Sequence, residues 1–183
     1  DILYCSAKTD LRRRQVQSVF WQCTDALVKL WAPFLVYTME EVWMHFTDDS
    51  VESVHYAHFP TPVHYENEEE IRSMFTDLLS VRDDVLKALE EARADKTIGT
   101  SQEAEVQLTV TEEENELLEK GLKGEAAQWM IVSKATVTTA AERSVRIVKA
   151  TGTKCPRCWN YSEQPDENGL CPRCADVLAR EAE

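Results

Sequence analysis

Glycine is scarce: there are five in 183 residues, Gly99, Gly121, Gly124, Gly152 and Gly169, and no two adjoin. A phosphate-cradling loop or a dinucleotide fingerprint needs several glycines in one short turn, so neither is present. No apolar run approaches the roughly eighteen residues that span a bilayer, and no basic-then-apolar leader opens the chain, so the expectation is a cytoplasmic protein with no membrane partner. Histidine is equally sparse at four. His55 and His58 would fall on opposite faces of an extended segment, so together with His64 they make a poor metal site. Nucleophile–base constellations, internal repeats and low-complexity linkers are absent too. Cations are the minority, with 20 Lys and Arg against 33 Asp and Glu and a net charge of −13, a balance that opposes contact with phosphate.

That balance is unevenly distributed. Between Glu40 and Ile71 there are nine acidic residues and no Lys or Arg, and Glu112 to Glu119 adds five more carboxylates. From Ile131 to Asn160 the sign reverses: Lys134, Arg143, Arg146, Lys149, Lys154 and Arg157 face only Glu142, a local charge of +5. Trp159 and Tyr161 stand beside this run. Cations interleaved with aromatics suit a single-stranded RNA loop, whose bases stack and whose phosphates pair. The alternative is a solvated strand face with two aromatics packing a small core. Arg12, Arg13 and Arg14 read as the solvated face of a helix rather than a phosphate site.

Cysteine is where the chain is specific. Cys155-Pro-Arg-Cys158 and Cys171-Pro-Arg-Cys174 are two Cys-x-x-Cys pairs separated by twelve residues. Each pair lets two thiolates on one tight turn face a common centre, and two such knuckles complete the four-sulfur tetrahedron of one structural Zn(II) ion, with no position open for catalysis. Gly152 before the first knuckle and Asn168-Gly169 before the second supply turns. Disulfides fit poorly without an exported scaffold, and a thioredoxin-like redox pair needs one motif inside a βαβ unit. Cys23 is expected in a core.

Apolar spacing predicts the rest. Leu11, Val16, Val19, Phe20, Cys23, Leu27, Leu30 and Phe34 recur at helical intervals until Pro33 interrupts. Thr38 and Glu41 resemble a capping box opening a short helix with Val42, Trp43 and Phe46. Ser53 to Pro62 reads as an extended connection, and Asn67 opens a long helix carrying Ile71, Met74, Phe75, Leu78, Val81, Val85, Leu86, Leu89 and Ala92. Three such helices suggest an antiparallel bundle. After Gly99 the period becomes two, with Ala104, Val106, Leu108 and Val110 on one face of a strand. Thr111 and Glu114 then cap a short helix ending near Gly121, and Met130–Thr139 and Ser144–Ala150 read as two more strands. The expected fold is α+β, divided into a truncated antiparallel helical bundle over 1–96, a small α+β junction unit over 97–150 and a four-cysteine zinc knuckle over 151–183.

Several blocks carry a family resemblance. Leu30-Trp-Ala-Pro-Phe-Leu-Val-Tyr-Thr-Met-Glu-Glu-Val-Trp43 resembles the "apolar-x-A-P-F-x-x-x-T-x-E-E-x-W" signature in the anticodon-binding bundle of class I aminoacyl-tRNA synthetases for branched aliphatic amino acids. Ser53-Val54-His55 before Phe59-Pro60 is similar to the "S-V-H…P" stretch that follows it. Lys87-Ala-Leu-Glu-Glu-Ala-Arg93, Ile98-Gly99 and Glu103-Ala104 resemble the "K-A-L-E-x-A-R…I-G-x-S-x-E-A" block of isoleucyl-tRNA synthetases. Lys154-Cys-Pro-Arg-Cys-Trp-Asn-Tyr161 with Leu170-Cys-Pro-Arg-Cys174 is similar to their bacterial zinc module. Together the blocks cover nearly the whole chain.

The resemblance implies that the parent enzyme, an isoleucine–tRNA ligase, joins isoleucine to its tRNA with ATP while this region grips the anticodon arm. The ATP-handling signatures "H-I-G-H" and "K-M-S-K-S" are missing, as is an editing domain, so this chain by itself is expected to be non-catalytic and ATP to belong to an absent catalytic domain. Asp1-Ile-Leu-Tyr-Cys5 resembles the end of a "K-D-x-L-Y-C" helix, which implies a fragment whose partners include the rest of the synthetase chain. Gln102 stands where the family carries Leu. The implied roles are a zinc-built platform from which Lys154, Arg157, Trp159, Tyr161 and Arg173 meet the RNA, with Arg146 and Lys149 adding phosphate contacts. The rival expectation is a zinc ribbon that docks on protein and never touches RNA.

Overall fold

Pro33 ends the first long helix because it carries no N–H and its ring opposes a continuing helical turn. A computed structural model of the protein describes residues 1–46 and 51–181, so Asp48 and Asp49 of the acidic stretch lie outside the described residues. The chain divides into two compact units, Asp1–His64 and Tyr65–Glu183.

The first unit contains α1 (Ile2–Cys5), α2 (Leu11–Trp31), α3 (Val36–Phe46) and a 3-10 turn at Val54–Tyr56. Asp10 caps α2 by accepting the Arg12 N–H at 2.9 Å. The expected capping box at Thr38 and Glu41 is not the start of α3. The Met39 N–H already reaches the Leu35 carbonyl at 2.9 Å, so helical bonding begins one turn earlier. Glu40 instead binds the "S-V-H" stretch, accepting the Ser53 hydroxyl at 2.9 Å and the Val54 N–H at 3.1 Å. The Trp43 indole donates to the Val51 carbonyl at 3.0 Å. These bonds close a small core of Val28, Ala32, Trp43 and Val54. The α2 stripe differs from expectation: Leu11, Val19, Phe20, Leu27, Leu30 and Phe34 are exposed, and so is Cys23. The helix meets α3 and the 3-10 turn through Val28 and Ala32 in the core and through Trp21, which stacks on Phe46 at 5.6 Å, so periodicity marked the other apolar residues without supplying a cover for them.

In the second unit α4 (Glu68–Ala94) lies on a three-stranded sheet ordered β2-β1-β3. Central β1 (Ala104–Val110) runs parallel to β2 (Lys134–Thr139) and antiparallel to β3 (Ser144–Lys149). The expected inward residues Ala104, Val106, Leu108 and Val110 are all buried, and the core joins them to Leu78, Val81, Val85 and Leu89 of α4. The buried face of this helix is shared between the sheet and the short helices that follow β1, whose Leu118, Leu122 and Met130 enter the same core. Thr111 and Glu114 form the expected capping box of α5 (Glu112–Leu122). Gly121 lies within α5, and a Cβ there would stand 2.6 Å from Leu78 Cδ1, so its smallness sets the approach of α5 to α4.

Residues 126–130, the last of them the predicted start of the second strand, are instead a short helix, α6 (Ala126–Met130), closed by Ile131 at φ +59°. The Val132 N–H reaches the Ala127 carbonyl at 2.9 Å and the Ile131 N–H the Gln128 carbonyl at 3.1 Å, the paired bonds of a Schellman cap. β2 begins only at Lys134. Past β3, the ribbon of β4 (Thr153–Lys154) and β5 (Tyr161–Ser162) leads to α7 (Pro172–Glu181). Among the described residues no helix is long and apolar enough to cross a membrane.

Candidate metal centre and nucleic-acid interface

Two tight turns bring four sulfurs together. The first knuckle fills the loop between β4 and β5, closed by the Trp159 N–H to the Cys155 carbonyl at 2.9 Å. The second opens α7, where Pro172 suits the first helical turn and the Ala175 N–H bonds the Cys171 carbonyl at 3.0 Å. Asp166 shapes the approach, its carboxylate accepting the N–H groups of Asn168 at 2.9 Å and Leu170 at 2.7 Å. The ligand atoms of Cys155, Cys158, Cys171 and Cys174 all lie within 4.8 Å of one another. The Cys158 and Cys171 sulfurs are 3.7 Å apart, far beyond a disulfide bond and close to the edge of about 3.8 Å that a tetrahedron of Zn–S bonds near 2.3 Å would give. Four sulfurs with no carboxylate or imidazole among them form a soft donor set suited to a tetrahedral ion.

The surroundings favour thiolates unequally. Burial raises the Cys155 thiol, yet the backbone N–H groups of Cys158, Cys171 and Arg157 outweigh it and hold it at about 6. Cys171 is pushed up to about 12, first by burial, and burial likewise raises Cys158. Both knuckle arginines turn toward sulfur. Arg157 Nη1 lies 3.8 Å from Cys174 Sγ, and the Arg173 guanidinium donates to Cys158.

The residues singled out for RNA are gathered in part. Lys154 is the cross-strand partner of Tyr161, and its ammonium stands 5.8 Å from the centre of the Trp159 ring. Trp159 is 62 % exposed with φ +66°, so its indole leaves the cysteine core instead of packing it. Tyr161 is half-buried beside a cavity of about 270 Å³ that also touches Ser133, Lys134 and Ser162. Arg146 and Lys149 are on β3 but three residues apart, so the pleat directs them to opposite faces. Arg143 of the same basic run is engaged by Asp84 and Glu114.

Sequence reasoning missed the ties that anchor the module. The Ser133 hydroxyl accepts the Tyr161 N–H at 2.7 Å and itself donates to the Gln102 carbonyl, linking β5 to the sheet. Gln102 takes part through its main chain, not its side chain. Gly152, at φ +94°, packs directly against the Ser162 backbone. Only its position before a knuckle hinted at this; nothing local marked Ser133.

A family model described as "Anticodon-binding domain of tRNA ligase" matches residues 1–108. The chain is also similar to isoleucine–tRNA ligase 1 of Oceanobacillus iheyensis, 38 % identical over 191 residues covering 98 % of this chain and 21 % of that protein. An isoleucine–tRNA ligase of Staphylococcus epidermidis is 39 % identical over 191 residues, 97 % of this chain and 20 % of its own. That of Geobacillus kaustophilus is 36 % identical over 196 residues, 97 % and 21 % respectively. The chain thus spans about a fifth of the length of the curated relatives it matches, and those matches extend through the cysteine module. With more than half of its residues inside the family model, the chain belongs to the anticodon-binding domain family of tRNA ligases.

Proposed function

We propose that this chain grips the anticodon arm of an isoleucine-specific tRNA, as the C-terminal region of a cytoplasmic isoleucine–tRNA ligase whose ATP-dependent chemistry resides elsewhere in the enzyme. The observation that carries the reading is the exposed indole of Trp159 with the Lys154 ammonium over its face. A flat ring held out of the core accepts an unstacked base on the face away from Lys154, and the cation over the other face pairs the adjoining phosphate. Tyr161 extends this surface, and Arg157, Arg173, Arg146 and Lys149 complete the proposed set of RNA contacts. In this reading the helices up to residue 96 are a truncated anticodon-binding bundle, 97–150 a junction unit, and 151–183 a module folded around one Zn(II) ion.

Zinc held by Cys155, Cys158, Cys171 and Cys174 supplies rigidity, not chemistry, because four thiolates leave no coordination position open. A salt titration of the zinc-loaded chain with an isoleucine-specific anticodon arm, beside an unrelated arm, tests the reading. Selective binding whose logarithm falls linearly with log salt is expected, each phosphate contact adding roughly 0.7 to 0.9 to the slope. Equal or absent binding to both arms would replace RNA recognition with protein docking by the cysteine module, a role that the chain's net charge of −13 also suits.

A further inference from the structure

Four thiolates around one divalent ion carry a net charge of −2, and Cys155 and Cys174 are fully buried. Charge withdrawn from water needs compensation by donors. Backbone N–H groups supply part of it: Cys155 accepts from Arg157, Cys158 and Cys171, Cys158 from Asn160, and Cys171 from Cys174. The remaining donors are side chains with an unusual symmetry. Arg157 is the third residue of the first Cys-Pro-Arg-Cys and reaches the last sulfur of the second, Cys174, at 3.8 Å. Arg173 is the third residue of the second and donates to the last sulfur of the first, Cys158.

We propose that Arg157 and Arg173 are a crossed pair of positioning residues for the four-cysteine centre, each bridging from its own knuckle to a sulfur of the other and thereby retaining the bound metal. This rests on the reading of the cysteines as a metal centre. A guanidinium stays protonated throughout the working pH range and presents a planar fork, so it offsets thiolate charge without competing for the ion. Apart from that of Cys171, which reaches Cys155, these backbone N–H groups stabilise a sulfur within or next to their own turn, whereas each arginine side chain spans both turns. Opening either knuckle to release the ion therefore breaks a bridge to the opposite one. Outer partners of this kind commonly alter metal affinity by about 10- to 100-fold.

The test loads the full chain with zinc and follows release to a chromogenic chelator, with alkylation of the zinc-loaded thiolates by iodoacetamide as a second readout. Arg157→Gln and Arg173→Gln should each release zinc several-fold faster, and the double variant more than about ten-fold faster. Far-UV circular dichroism of the loaded forms should be unchanged, alkylation should accelerate in parallel, and Arg157→Lys should restore part of the retention. Bound zinc at one equivalent with wild-type release and alkylation in the double variant would overturn the crossed pair while leaving the metal centre intact. Failure of the parent chain to bind zinc at all would overturn both.

Discussion

Arg143, on the turn between β2 and β3, donates through Nε to Glu114 at 3.0 Å, while the same carboxylate closes the capping box of α5 by accepting the Thr111 N–H at 3.0 Å. Asp84 of α4 takes the other side of the guanidinium at 2.6 Å. One side chain thus ties three elements of the second unit together.

Arg143→Ala should lower stability by about 1–2 kcal/mol, seen as a lower melting temperature. The hydrogen bond from Arg143, the largest influence, holds the Glu114 carboxyl below its ordinary 4.5, although burial opposes it. A depressed carboxyl stabilises the fold above the unfolded value and loses that contribution as the pH falls below about 4.5 through the folded value. Melting temperature should therefore drop less steeply with acid in Arg143→Ala than in the parent chain. Parallel acid profiles would contradict this role.

Gly152→Ala should disrupt the β4–β5 ribbon. Its Cβ would meet the Ser162 carbonyl oxygen at 2.1 Å, at a φ of +94° that already disfavours a side chain. Backbone atoms cannot rotate away as a flexible side chain can, so a loss of at least about 2 kcal/mol and weaker metal retention by the four cysteines are expected, measured by denaturation and chelator competition.

Ile131→Gly should act in the opposite direction. A β-branched residue in the left-handed region carries strain of about 1–2 kcal/mol, and Ile131 is 53 % exposed with φ +59°, so little packing is lost in exchange. Glycine also gains freedom in the unfolded chain, which offsets part of the relief, and a net stabilisation of about 0.5–1 kcal/mol should appear in urea denaturation. An unchanged or lower midpoint would show that the exposed side chain is held by contacts worth more than the strain.

Removal of metal by a strong chelator should unfold the β4–β5 ribbon and α7 while β1–β3 persist, because the module has few buried apolar groups beyond Val177 and its own sulfurs. Amide exchange read by segment would show protection lost from Thr151 onward and retained in Ala104–Val110.

Trp159→Ala should weaken binding to the anticodon arm by about 1–3 kcal/mol, the usual worth of one base–aromatic stack. Stability should barely change, since the ring lies outside the core. Unchanged affinity would remove Trp159 from the interface.

Much of this architecture was legible in local spacing. A period of two located β1, a threonine three residues before a glutamate located the start of α5, and the doubled Cys-x-x-Cys located the sulfur cluster; each is an interaction among residues a few positions apart. The α2 stripe misled because periodicity says which face is apolar, not what covers it, and Cys23 with its neighbours is exposed. Ile131 hid a helix cap because an apolar β-branched residue in a run of apolar residues reads as a strand.

The sequence by itself determined most of the helical and extended segments, the capping box of α5 and the set of four sulfur donors, since backbone hydrogen bonds and tight turns act over one or two turns of chain. Tertiary structure alone decided that α4 covers the sheet, that Ser133 anchors the ribbon, that Arg143 is engaged with Glu114, and that each knuckle arginine reaches the opposite knuckle. The Arg157–Cys174, Tyr161–Ser133 and Arg143–Glu114 contacts join residues 17, 28 and 29 positions apart. The backbone path that brings such residues together is set by the whole packed core rather than by any spacing within the chain.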